Sequence, residues 1–239
     1  SVALDYIESQ KAGWKNAKHA SQWTNTLRTY AFPVIGNLPP NEITTEHVLK
    51  VLKPIWTKIP ETASRVRNRI ELVLDAAKAV GLREGENPAR WRGHLDKLFP
   101  KRSKVSKVVH HPALPWQEAP GFMVELRKHR SASHRALEMT VLSCCRTSEV
   151  LNATWDEIDL NQGVWTIPED RMKAGKPHRV PITETLRALL ADLDRIDDSP
   201  FLFPGQKSGQ ALSNMSMLMT LRRMGFEHVT VHGFRSTFR

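Results

Sequence analysis

His232 and Arg235 stand three residues apart near the end of the chain, in Val-Thr-Val-His232-Gly233-Phe234-Arg235. On a helical turn that spacing puts both side chains on one face, so both can address one anionic group. An imidazole gives or takes a proton near neutral pH. A guanidinium forks onto two phosphate oxygens. Two earlier stretches carry related chemistry. One is Ser143-Cys144-Cys145-Arg146-Thr147-Ser148-Glu149, and the other is Arg171-Met172-Lys173-Ala174-Gly175-Lys176-Pro177-His178-Arg179.

An Arg, a Lys, then a His and a second Arg, in this order and context, resemble the catalytic domain of tyrosine recombinases, the phage-integrase family. The resemblance implies roles. Arg146 and Arg235 would clamp the non-bridging oxygens of a scissile phosphate. Lys173 would act as general acid on the leaving 5′ oxygen, and His232 would assist proton transfer or hold the phosphate. Glu149, on the same helical face as Arg146, would orient these groups. Preorganised cations stabilise the added negative charge of the phosphoryl transition state, so no metal and no cofactor is implied. Lys176 competes with Lys173, but the family's lysine lies at the start of this turn. Cys144 and Cys145 stand where the family has small residues, often Gly or Ala, and read as tight packing.

The family's nucleophile is a Tyr several dozen residues beyond His-x-x-Arg. The tyrosines here are Tyr6 and Tyr30, and neither matches that motif. The expectation is a fragment truncated before the catalytic Tyr and inactive alone. Its parent would be a site-specific recombinase that integrates or excises mobile DNA through a 3′-phosphotyrosyl intermediate. The start at Ser1, without an initiator Met, also suggests an excerpt, and such parents often carry an amino-terminal arm-binding domain. The alternative is a non-catalytic DNA-binding or regulatory module on the same fold. The missing Tyr favours it for this polypeptide, and the Arg, Lys, His, Arg set favours the recombinase for the parent.

Composition narrows the partner. The 239 residues carry a formal net charge of +10, which favours a polyanion. No apolar run approaches membrane-spanning length, and no signal-peptide pattern opens the chain. Cys144 and Cys145 are adjacent and cannot staple distant segments, so the compartment reads as reducing and cytoplasmic. No Cys/His spacing suits zinc, and the doublet His110-His111 reads as solvent-facing. The partners expected are double-stranded DNA at attachment sites and further copies of the chain, as a tetramer on DNA. Neither a membrane nor a small-molecule substrate is expected.

The elements that must position these residues are mainly α. Helices are predicted over 2–10, 16–31, 44–58 and 61–80, and another from Pro88 through His94. Pro33 falls in a turn-rich connection. In the helix 61–80, Val66, Ile70, Val73, Leu74 and Ala77 form one stripe. Residues 1–99 read as an all-α domain, 100–113 as a basic linker, and 114–239 as a mixed α/β domain with a small antiparallel sheet. Three short strands are predicted, at 155–160, 164–167 and 178–182. The resemblance makes the first domain a helical core-binding, SAM-like domain and the second the recombinase catalytic domain. Lys15, Lys18, His19, Arg65, Arg69, Arg90, Arg92, Lys101, Arg102 and Lys104 are the residues expected to face DNA.

Overall fold

The computed structural model describes residues 1–14, 17–106, 111–172, 174–196 and 198–238. The chain divides into two compact units, Ser1–Val108 and Val109–Arg239.

The first unit holds helices and turns, with no strand among its described residues. Helix α1 spans Val2–Gln10 and α2 spans Ala17–Thr26. The second helix then runs on through a π turn, Leu27–Ala31, into α3, Phe32–Ile35. The predicted break at Pro33 is therefore wrong. Pro33 lacks an N–H, and the wider turn, with the Phe32 N–H on the Leu27 carbonyl, delivers it to the first turn of α3, where none is needed. Helix α4 is Thr45–Trp56 and α5 is Pro60–Ala79. Gly81, at φ +75, stops α5 in the left-handed conformation that glycine adopts at low cost. The α5 stripe Val66, Ile70, Val73, Leu74 and Ala77 is buried, as the periodicity predicts.

Two further predictions need correction here. Residues 88–94 form turns, followed by the 3-10 turn Leu95–Lys97, and not a helix. The Asn87 side chain takes the Ala89 N–H, and Gly93 sits at φ +70, so the helical ladder never forms. Within 100–113, Arg102–Val105 makes a short helix, α6, that packs on α5.

The second unit surrounds one core. Helices α7 (Ala119–Arg127), α8 (Ala132–Ser143) and α9 (Thr147–Leu151) precede the sheet. Strands β1 (Ile158–Asp159), β2 (Val164–Ile167) and β3 (His178–Pro181) pair antiparallel in the order β1-β2-β3. Trp165 faces Ile158 on one side and Val180 on the other. The first strand is shorter than predicted because Trp155–Glu157 coils into a 3-10 turn. There the Glu157 carboxylate accepts the Trp165 indole N–H at 2.9 Å. Helix α10 (Glu184–Ala191) is capped by Thr183, whose hydroxyl takes the Leu186 N–H. Helix α11 (Ser216–Arg223) and the short α12 (Phe234–Thr237) complete the unit. Trp165, Phe122, Phe203 and Phe234 are almost fully buried. Each phenylalanine contributes about 1.5–3 kcal/mol relative to exposure.

Candidate active site

The site is built where α8 ends, α9 begins and α12 passes. Helix α8 stops at Cys144, which lies at φ 53. That is the one left-handed non-glycine residue among the described residues. The conformation explains why a small residue suits this position. Cys145 is 3% exposed and fills core space, and burial pushes its thiol up to about 11. Cys144 is likewise raised, again by burial. Both thiols are thus poor nucleophiles near neutral pH.

Arg146 follows in extended conformation and is itself the N-cap of α9. Glu149 holds it there: one carboxylate oxygen takes the Arg146 N–H at 2.7 Å, and the other takes its guanidinium at 2.6 Å. The Glu149 side chain is 5% exposed, whereas Arg146 keeps 45% of its own exposed. Burial opposes ionisation of Glu149, but the two hydrogen bonds from Arg146 and the charges of Arg146 and Arg235 outweigh it. Its pKa is held below the ordinary carboxylate value. Glu149 therefore offsets the cost of a guanidinium at a helix start, where the dipole is adverse.

The last turn brings the second pair. Val231–Gly233 is a 3-10 turn that runs into α12. The Thr230 hydroxyl caps it by accepting the Gly233 N–H at 3.0 Å. Phe234 is 1% exposed and lies 4.9 Å from the Phe122 ring, so it anchors the turn in the core. Its neighbours His232 and Arg235 are left on the outside. Arg235 donates to the Cys144 carbonyl at 2.6 Å, which ties α12 to the α8–α9 corner. Arg146, Glu149, His232 and Arg235 are thereby brought together. Partial burial, then His111, Arg235 and Arg146, hold the His232 pKa below the usual imidazole value. The ring is thus mainly neutral at pH 7 until an anion arrives.

Lys173 lies outside the described residues. Lys176, its competitor, is exposed in the β2–β3 connection. Arg171 precedes both, and nothing in the local residue pattern points to a role for it. Its guanidinium donates to the Glu149 carbonyl at 2.6 Å, to the Asn152 carbonyl and to the Glu157 carboxylate. It fastens the β2–β3 connection to the C-terminal end of α9, where carbonyls seek donors. His111 is also missed. It was read as solvent-facing, and it is exposed, yet its ring lies 4.8 Å from that of His232. No local pattern signals either contact, because each spans a long stretch of chain.

The basic residues of the first unit divide. Lys18 and His19 are exposed on α2, and the His19 ring lies tilted against Trp14 with centroids 4.7 Å apart. Lys15 lies outside the described residues. Arg92, Lys101 and Lys104 are exposed. Arg65 and Arg102 share Glu61, and Arg90 pairs with Glu86. Such surface pairs are weak enough to yield to a phosphate. Arg69 must be withdrawn from the DNA-facing set. It is 7% exposed, donates to the Gln22 carbonyl at 2.8 Å and to Thr26, and lies over the Trp23 ring at 5.2 Å. One helical turn separates it from Arg65, but it falls on the inner side of α5 and ties that helix to α2.

Among the described residues no group of three or more His, Cys, Asp or Glu is placed to hold a metal. Among the same residues no helix is long and apolar enough to cross a membrane.

Both units resemble known proteins. Residues 1–94 match the phage integrase central domain, and residues 114–239 match the phage integrase family. The prophage integrase IntZ of Escherichia coli K12 is 31% identical over 99% of this chain and 58% of its own length. The integrase of Enterobacteria phage P4 is 28% identical over 100% of this chain and 57% of its own length. The chain thus spans less than three fifths of the length of these relatives. In fold, it is similar to lambda integrase bound to a COC′ core site as a dimer, with a TM-score of 0.76 at 15% identity, covering 98% of this chain and 86% of that one. The Tn1549 transposon integrase bound to circular intermediate DNA gives a TM-score of 0.71, also at 15% identity, covering 99% and 85%.

Proposed function

The chain belongs to the phage integrase family, and from that premise we propose that it forms part of a site-specific DNA recombinase acting on mobile DNA. The observation that carries the proposal is the convergence of Arg146, His232 and Arg235 on one outward face, held by the buried Glu149 and by the Arg235 bond to the Cys144 carbonyl. Two guanidiniums and an imidazole suit a phosphodiester whose negative charge rises in the transition state. Arg146 and Arg235 bind the non-bridging oxygens in both ground and transition states. His232, mainly neutral when free, takes up or relays a proton as the phosphate binds. Lys173 is the general acid for the departing 5′ oxygen.

Double-stranded DNA is the proposed partner, with assembly into a tetramer on it, in the bacterial cytoplasm. The +10 net charge and the exposed Lys18, His19, Arg92, Lys101 and Lys104 support that partner. The tyrosines in these residues, Tyr6 and Tyr30, pack against the core of the first unit. They are not the nucleophile, so the 239 residues bind duplex DNA without forming a covalent adduct.

The test uses a suicide duplex in which the leaving 5′ oxygen is replaced by sulfur, which departs without a proton. In protein that carries the family's nucleophilic Tyr, Lys173→Ala should slow cleavage of ordinary DNA by about 10²–10⁴-fold. The sulfur substrate should restore Lys173→Ala and leave Arg146→Ala slow. Rescue of Lys176→Ala, with Lys173→Ala cleaving normally, would move the acid to Lys176. An adduct formed by the 239 residues alone, on Tyr6 or Tyr30, would refute the site.

A further inference from the structure

We propose that His111 is a further phosphate-contacting residue of this pocket, a second imidazole that meets the same anion as His232. The inference rests on the reading of the pocket as a phosphate site and adds a residue to it from a part of the chain remote from the motif.

The geometry that supports it is enforced from both sides of the His232 turn. Thr230, two residues before His232, donates its backbone N–H to the Pro112 carbonyl at 3.1 Å and its hydroxyl to the same oxygen at 3.2 Å. Thr237, two residues after Arg235, donates its hydroxyl to the Leu114 carbonyl at 2.9 Å. Leu114 itself is 1% exposed. Between these ties the chain passes so close that a Cβ on Gly233 would stand 2.0 Å from the Pro112 oxygen. Residues 112–114 are thus laid along the turn that carries the motif, and His111 emerges beside His232. The rings meet edge to face at 62°, with centroids 4.8 Å apart, and both residues are exposed.

Charge explains what the pair is for. The groups acting on His232 are His111, Arg235 and Arg146, all cationic or able to become so. The nearby carboxylate, Glu149, is turned to Arg146 and buried. His111, beside His232, opposes its protonation when no anion is bound. A phosphate reverses that balance, because each imidazolium then donates a charge-assisted hydrogen bond to an anionic oxygen. A pocket that gains protons when its anion binds needs more than one group to hold them, and His111 is positioned as the second.

The experiment follows the ring nitrogens of the 239-residue chain by long-range ¹H–¹⁵N NMR, with inorganic phosphate as probe at constant ionic strength. The His111 and His232 ring signals should shift with one common dissociation constant, and the His232 pKa should move up. His111→Asn should weaken phosphate binding about 3- to 30-fold, the scale of one charge-assisted hydrogen bond at an exposed site. In the phosphate-free protein the same variant should raise the His232 pKa, since a neighbour that opposes protonation is gone. A backbone ¹H–¹⁵N spectrum that matches wild type away from residue 111 reports that the variant retains its fold. If phosphate moves His232 alone and His111→Asn binds it as tightly as wild type, His111 is no ligand and the pocket stands without it. An unchanged His232 pKa in His111→Asn would likewise overturn the proposal, because the rings would not meet. If phosphate moves neither ring, the phosphate pocket itself fails, and His111 falls with it.

Discussion

Gly233→Ala tests how the His232 turn is held. Gly233 is buried at φ −60 and ψ −32, ordinary helical backbone, so conformational freedom is not what this position needs. What it needs is space. The added Cβ would lie 2.0 Å from the Pro112 oxygen, 2.8 Å from its carbonyl carbon and 3.0 Å from the Ala113 Cα. All three are backbone atoms and cannot swing aside. Overpacking of this kind costs about 1–3 kcal/mol. Pushing Pro112 away also lengthens its two hydrogen bonds from Thr230, each worth about 0.5–1.5 kcal/mol. The sum is roughly 2–6 kcal/mol, and partial yielding of the 112–114 segment puts the expectation at ~3 kcal/mol. Because the chain has two compact units, one global melting transition is a poor measure. Hydrogen exchange read peptide by peptide is the suitable assay. Peptides covering 112–114 and 229–238 should exchange about 10²-fold faster, since ~1.4 kcal/mol is tenfold. Peptides of the first unit should not change. Gly121→Ala is the control: Gly121 lies exposed on α7 with nothing within 4 Å of an added Cβ, so alanine there should stabilise by about 0.5–1 kcal/mol. Exchange within twofold of wild type at 229–238 in Gly233→Ala would refute the reasoning, because the close passage would then be absent in solution.

Arg69→Ala should destabilise the first unit by about 1–3 kcal/mol, through two lost hydrogen bonds and the contact with Trp23. Arg65→Ala should stay within about 0.5 kcal/mol. Hydrogen exchange of first-unit peptides in both variants checks the contrast, and equal effects would contradict the inward placement of Arg69. Glu149 has a lowered folded pKa, so its stabilisation is present above the ordinary carboxylate pKa and is lost as pH falls through the lower folded value. Glu149→Gln should therefore flatten the acid limb of the stability curve below the ordinary carboxylate pKa, and an unchanged limb in urea unfolding followed within the second unit would count against it. Duplex DNA affinity of the chain should fall steeply with salt, as measured by fluorescence anisotropy, and a flat slope would sink the electrostatic interface. His232 is held below the usual imidazole pKa, and an anionic oxygen beside the ring favours its protonated form. DNA affinity should thus rise as pH falls below neutral, and His232→Gln should reduce that rise.

Much of the mechanism's chemistry was legible in residue order. His232 and Arg235 share a turn whatever surrounds them, and Glu149 is within reach of Arg146 because both belong to one helix start. The α5 stripe could be read because period and burial agree along a single helix. Errors came where a local signal met an opposing one. Pro33 looked like a break, but a π turn admits it into the first turn of α3. Arg65 and Arg69 looked alike, yet the core takes in only the second.

The sequence by itself determined which residue types serve a phosphate and which local turns present them, because those depend on spacings of three or four residues. Only the tertiary structure decided that Arg235 reaches the Cys144 carbonyl, that Arg171 secures the end of α9, and that His111 lies against His232. Those contacts join residues 22 to 121 positions apart, and no short-range periodicity encodes them. Packing around Phe234 and the close passage at Gly233 bring them into being.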